Sequence, residues 1–197
     1  MANNRMITIL CEGDSEYAYI QELNRYLQEN ECKLRFTPRR PPIGTGFFSN
    51  VAARLKEEKR KNPRSCIKIL LDDDIYVRNG NVRERDNRLK FESCPYKDEF
   101  LFNTHNFEDF LMLHCDDKTL KQWLATCAST NHANVPMHSA QYEPLVKEIF
   151  PGYEKGELPI GPIDQKKLDN LFRHNEDKTV FIKSAFAAYL KGLLVKL

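Results

Sequence analysis

The sequence predicts an α/β fold: an open parallel sheet flanked by helices, continued by a mostly helical carboxyl-terminal extension. Three observations predict it. Short runs of β-branched and apolar residues alternate with segments of helical periodicity, two of those runs stop abruptly at acidic residues, and beyond residue 115 the apolar residues follow a helical period.

Met6 to Leu10 (Met-Ile-Thr-Ile-Leu) is almost wholly apolar, as expected of a strand covered on both sheet faces. Cys11-Glu12-Gly13-Asp14-Ser15 breaks that run. Tyr17, Ile20, Leu23 and Leu27 then recur at helical spacing, so Ser15 to Glu29 reads as an amphipathic helix capped by Asp14 or Ser15. Lys33 to Thr37 reads as a second strand and Asn50 to Lys61 as a basic helix, separated by a Pro/Gly loop from Pro38 to Gly46. Cys66 to Leu71 is a third strand that ends in Asp72-Asp73-Asp74. Arg78 to Glu99 is polar and reads as a loop or short helix. Phe100 to Asn103 suggests a further strand, and Phe107, Phe110, Leu111 and His114 a helix begun near Asn106. The remainder is helical with breaks at Asn131 to Pro136 and Pro151 to Pro162. Its last segment, Ser184 to Leu197, carries Phe186, Tyr189, Leu190, Leu193 and Leu194 on one face that must dock on the core or on a partner.

Composition narrows the function classes. At 197 residues the chain fits one domain with helical additions. Its six cysteines are scattered without a C-x-x-C pair, so they are expected to be reduced thiols. The amino terminus leads into a strand, and no apolar run approaches the roughly 20 residues of a membrane span, so a cytoplasmic location without membrane partners is the expectation. The net charge of +2 gives no bulk argument for nucleic acid. A polyanion site must come from local clusters, and Arg39-Arg40 and the Lys56 to Arg64 run, with Lys59 and Arg60, are the two that qualify.

The acidic turns carry the chemistry. Open parallel sheets bind ligands beyond the carboxyl ends of their strands, and Glu12 and Asp72 both stand there. In a strand-like D-x-D, alternate side chains share a face, which puts Asp72 and Asp74 together and Asp73 opposite. Crowded carboxylates repel, and a hard divalent cation such as Mg²⁺ relieves that repulsion while leaving room for a phosphate oxygen. Gly13 permits a sharp turn and a close backbone approach. The same acids also serve as turn formers and helix caps, Asp14 and Glu16 among them.

Three blocks, Ile9-Leu10-Cys11-Glu12-Gly13-Asp14-Ser15-Glu16, Leu70-Leu71-Asp72-Asp73-Asp74 and Asn106-Phe107-Glu108-Asp109-Phe110-Leu111-Met112-Leu113-His114, resemble those of RloB-like proteins, which include AbiLii-type abortive-infection proteins. Gly152-Tyr153-Glu154-Lys155 is similar to a Tyr-x-Lys patch in the same family. The resemblance implies a Toprim-like fold, shared with primases, topoisomerases and OLD-type nucleases. It further implies that Asp72 and Asp74 hold Mg²⁺ or Mn²⁺, that Glu12 is a metal ligand or general acid/base, and that Glu108 faces the same cleft as a catalytic group; its alternative is to complement a helix dipole. Lys155 would contact a phosphate. The chain departs from the family at Asp14-Ser15 and at Asp73, which leaves one metal or two open.

The implied activity is metal-dependent hydrolysis of DNA or RNA, with transfer RNA a target by analogy, in anti-phage defence beside an AAA or ABC-type ATPase. Residues 1–115 would form the Toprim-like catalytic core and 116–197 a helical extension packed on it. The alternative is a non-catalytic regulatory or adaptor subunit that docks on the ATPase through its final helix. Among the histidines, His114 reads as a helix-end residue favoured by the dipole, and His132 and His138 as loop residues able to titrate. Gly44-Thr45-Gly46 lacks the Gly-Lys-Ser/Thr of a Walker loop.

Overall fold

A computed structural model describes residues 5–40, 48–74, 82–154 and 156–195. Lys155 and Gly44-Thr45-Gly46 lie outside the described residues. In chain order the elements are β1 (Arg5–Cys11), α1 (Asp14–Glu29), β2 (Leu34–Arg39), α2 (Phe48–Lys61), β3 (Cys66–Asp72), α3 (Val82–Glu92), a 3₁₀ turn (Lys97–Glu99), β4 (Phe100–Asn103), α4 (Phe107–Met112), α5 (Asp117–Ser129), α6 (Ser139–Ile149), α7 (Gln165–Glu176) and α8 (Ala185–Leu194).

The four strands form one wholly parallel sheet in the order β2-β1-β3-β4. This is the α/β open parallel sheet flanked by helices that the alternation of runs predicts. Its strands alternate as a two-sided sheet requires. Ile7, Ile9, Cys11 and Leu70 face α1, α4 and the later helices. Leu10, Ile67, Ile69 and Leu71 face the opposite way, onto Val51 and Leu55 of α2 and the aromatic pair Phe91 and Phe100. Both faces are covered over most of their length, Met6 being the exposed exception, which is why β1 and β3 read as largely apolar runs.

The helices after residue 116 complete the first of these cores. Trp123, Val146, Leu171, Phe186 and Leu190 are fully buried in the same cluster as Ile7 and Tyr19. Phe186 meets Tyr19, Phe36 and Phe110 ring to ring. The apolar face of α8 packs on the chain's own core through Phe186, Leu190 and Leu193, while Val195 at its end stays exposed.

β2 is an edge strand whose open side is blocked by side chains. Asn24 of α1 pairs with Phe36 as a strand would, accepting its N–H at 2.8 Å and donating to its carbonyl at 2.7 Å. Pro38 presents no N–H, and Arg35 Nη1 donates to the Leu34 carbonyl at 2.7 Å. Strand addition at this edge is disfavoured. Among the described residues no helix is long and apolar enough to cross a membrane, and all six cysteines are free thiols.

The strand order reverses at β1. The chain leaves β1 for β2 on one side and returns to β3 on the other, so the carboxyl ends of β1 and β3 flank the crevice where open α/β sheets receive ligands. Cys11 lies beside Leu70 and Asp72 beside Asn103. Glu12, Asp72 and the loop after β4 consequently share one lip.

Candidate metal centre

Glu12 follows the last residue of β1, and Gly13 caps α1, the role expected of Asp14 or Ser15. One turn into the helix, Glu16 reaches back so that its Oε2 accepts the Gly13 N–H at 3.0 Å. A Cβ at Gly13 would stand 3.0 Å from that same oxygen, so this glycine serves a close approach. Glu12 Oε2 in turn accepts the Asp72 N–H at 3.1 Å. The result brings one oxygen each of Glu12, Glu16 and Asp72 within 4.8 Å of one another.

Asp72 is the pivot. Its Oδ2 accepts the Phe107 N–H at 2.9 Å, while its buried Oδ1 has no hydrogen-bond partner. Asp74 lines the same cleft, and Asp73 points elsewhere, as the alternation predicts: its Oδ1 accepts the His105 N–H at 2.6 Å. Asp73 thereby holds His105 in a left-handed backbone conformation, φ 62°. Glu108, in the first turn of α4, is 4 % exposed and lines the cleft, where it accepts a 2.5 Å hydrogen bond from Tyr153 Oη.

The cleft has a volume of about 430 Å³. Six carboxylates line it, Glu12, Asp14, Glu16, Asp72, Asp74 and Glu108, together with His138 and Tyr142 but no Lys or Arg among the described residues. This crowding shows in the acidities. Burial, followed by the Glu16 and Asp74 charges, pushes the Glu12 carboxyl up to about 8 against the opposing hydrogen bond from Asp72 N–H. Burial, then Glu16, Glu12 and Glu108, holds Asp72 well above the usual carboxylate range. Burial and the Glu108 charge likewise raise the phenols of Tyr142 and Tyr153. Oxygen-only donors in this state suit Mg²⁺ or Mn²⁺, and Asp72 Oδ1 is the orphaned buried atom that such a cation would satisfy.

The basic candidates separate into two groups. Arg40 sits at the rim, paired with Asp14 at 3.0 Å and stacked 4.5 Å above the Tyr17 ring. Arg39 is exposed at the end of β2, on the same side of the sheet. Lys59 and Arg60 are elsewhere. Helix α2 runs back toward the start of β3, and Lys59 pairs at 2.6 Å with Glu99, the residue before β4. Both residues therefore stand at the amino-terminal edge of the parallel sheet, remote from the carboxylates.

Two histidines, His114 and His132, depart from their sequence reading. His114 is buried against Tyr19 Oη at 2.9 Å, and burial lowers its pKa to about 3, so it is a neutral core residue. His132 is fully buried. Its Nδ1 accepts the Met137 N–H at 3.0 Å, leaving the proton on Nε2 to bond Asp109 Oδ2 at 2.8 Å. Asp109 also accepts from Trp123 Nε1 at 2.7 Å and from Asn106 N at 3.2 Å. Asp109, Cys127 and His132 lie close enough to hold a metal. A cation on Nε2 would nevertheless require an imidazole with neither proton, so this cluster is a structural network.

Sequence reasoning missed Glu16 as a site residue and left His138 and Tyr142 outside the site. The i, i+4 spacing of Glu12 and Glu16 at a helix start was the available signal. His138 and Tyr142 arrive from α6 and its cap, beyond the reach of local pattern. No protein-family model matches this chain, and no curated protein or solved structure is detectably similar to it.

Proposed function

We propose that this chain is a divalent-metal-dependent phosphodiesterase of the Toprim type that acts on DNA or RNA. The supporting observation is the convergence of Glu12, Glu16 and Asp72 at the reversal point of a parallel sheet, with Asp72 Oδ1 buried and unpaired. Glu12, Glu16 and Asp72 would hold the ion, and Asp74 and Glu108 face the same space. When bound, the cation supplies Lewis-acid polarisation of a phosphoryl oxygen and a more acidic water.

The protein's own contribution is positional. Asp72 ties β3 to the loop after β4, Glu16 ties α1 to the turn after β1, and Tyr153 orients Glu108. These bonds fix the carboxylates before any ligand arrives, so little reorganisation accompanies binding. Arg39 and Arg40, exposed on the cleft side, are the candidate contacts to a nucleic-acid backbone. Lys59 and Arg60 drop out of that role by location. The resemblance to RloB-like proteins further suggests anti-phage defence and an ATPase partner.

The test is cleavage of end-labelled DNA and RNA, including transfer RNA, with Mg²⁺ or Mn²⁺, by the chain alone and with an ATPase encoded beside it. Cleavage abolished by Glu12→Ala and Asp72→Ala, with the fold retained, is the expected result. Cleavage that persists in both variants would refute the proposal.

A further inference from the structure

The segment that carries the chain from β4 into α4 is held unusually tightly. Three consecutive backbone N–H groups each donate to a different carboxylate: His105 N to Asp73 Oδ1 at 2.6 Å, Asn106 N to Asp109 Oδ2 at 3.2 Å and Phe107 N to Asp72 Oδ2 at 2.9 Å. Asp109 is itself fixed by Trp123 and His132. The Asn106 side chain therefore departs from a backbone that is fastened on both sides.

Asn106 is 5 % exposed and lines the carboxylate cleft, yet its Nδ2 has no hydrogen-bond partner. A buried amide donor left unpaired opposes folding, and native proteins keep such groups where a ligand completes them. The same cleft holds an orphan of the opposite kind, Asp72 Oδ1. A cation alone satisfies Asp72 but does little for Asn106, because water on a divalent ion is polarised to donate hydrogen bonds and is a poor acceptor. An anionic oxygen alone satisfies Asn106 and is repelled by Asp72. A phosphodiester that enters with the cation satisfies both, with one oxygen toward the metal and another accepting from the amide.

We propose that Asn106 is a substrate-contacting residue, whose Nδ2 donates to a non-bridging phosphate oxygen of the nucleic acid bound beside the metal. This rests on the phosphodiesterase reading above. It assigns phosphate recognition within the cleft to a neutral donor, which suits a site already crowded with carboxylates: an amide brings no charge that would compete with the cation for them.

The test separates the two claims by measuring the metal and the nucleic acid independently. Mn²⁺ affinity is measured by calorimetry on wild type, Asn106→Ala and Asn106→Asp. Binding of short DNA and RNA strands with unmodified phosphates to the Mn²⁺-loaded proteins is followed by stopped-flow fluorescence anisotropy, before cleavage proceeds, and unfolding midpoints are recorded in parallel. The expected results are Mn²⁺ affinity within about twofold of wild type for Asn106→Ala, an unfolding midpoint lowered by no more than the loss of a helix cap accounts for, since Asn106 is the N-cap of α4, and oligonucleotide affinity reduced about tenfold to a hundredfold, the value of a hydrogen bond to a charged group. Asn106→Asp, which keeps the shape and loses the donor, should bind Mn²⁺ at least as well and the oligonucleotide more weakly still. The arm that responds, DNA or RNA, identifies the substrate. Unchanged oligonucleotide affinity in both variants would overturn the assignment while leaving the metal site standing. Loss of Mn²⁺ affinity in Asn106→Ala would make Asn106 a metal ligand through its carbonyl oxygen and also overturn it, as would a wild type that binds Mn²⁺ but neither oligonucleotide. A wild type that binds no Mn²⁺ would remove the phosphodiesterase reading itself.

Discussion

Replacing Glu16 by Gln should stabilise the metal-free protein and weaken its response to metal. Glu16 is the foremost charged neighbour raising both Glu12 and Asp72. Moving the Glu12 carboxyl from its ordinary 4.5 to about 8 corresponds to roughly 5 kcal/mol once it is ionised, at about 1.36 kcal/mol per pH unit. Burial supplies the larger part of that. Two unit charges within 4.8 Å repel by roughly 3 kcal/mol at an effective dielectric constant of about 20. Because the cleft opens to solvent, about 1–2 kcal/mol of this should be recovered when Glu16 loses its charge. Gln keeps an oxygen able to accept the Gly13 N–H, so the turn survives. Urea denaturation at pH 8, in chelator and in Mn²⁺, is the assay. Glu16→Gln should be the more stable protein in chelator and should gain less from Mn²⁺ than wild type. A variant that is less stable in chelator and gains as much from Mn²⁺ would refute the electrostatic account.

Because the Glu12 pKa is raised on folding, the metal-free protein holds more protons than the unfolded chain between pH 4.5 and about 8. Its stability should fall as pH rises through that window, Mn²⁺ should remove the fall, and metal binding at pH 7 should release protons, seen as heats that vary with buffer ionisation enthalpy. His114 works in the other direction: its pKa is lowered to about 3, so the stability it contributes is present above pH 6.5 and is lost as pH falls toward 3, by roughly 5 kcal/mol. His114→Leu should flatten that acid limb in pH-dependent denaturation, while unpairing Tyr19 Oη at a cost of about 1–3 kcal/mol. Asp73→Ala removes the acceptor that pins His105 N and should lower both stability, by about 1–3 kcal/mol, and Mn²⁺ affinity, whereas Asp73→Asn retains an acceptor oxygen and should lose much less of either.

The strands, the order of elements and the acidic lip were legible in the sequence because each is written locally. A strand dry on both faces shows as an apolar run, and β1, β3 and β4 fall within a residue or so of their expected bounds. Asp73 parts from Asp72 and Asp74 as strand alternation predicts, although β3 ends at Asp72, Asp73 stands in a bend and Asp74 is helical, so it is the bond to His105 N that fixes its direction. What failed depended on distant partners. Glu16 read as a helix-dipole residue because its approach to Asp72 exists only once β1 and β3 are paired. His114 and His132 sit in polar or helix-end sequence, and only the packing of α1 and α5 shows them buried. The basic run before β3 could have been placed correctly. In a strand-helix-strand unit the helix ends where the next parallel strand begins, so Lys59 and Arg60 were bound to lie at the far edge of the sheet from the strand-end carboxylates.

We propose above that Glu12, Glu16 and Asp72 share a divalent cation. Crystals grown with Mn²⁺ and measured at its absorption edge test this most directly. The prediction is an anomalous difference peak among the three carboxylates, within oxygen-ligand distance of Asp72 Oδ1 and absent in Asp72→Asn crystals. A peak at any other site with this cleft empty, or one undiminished in the variant, would contradict it.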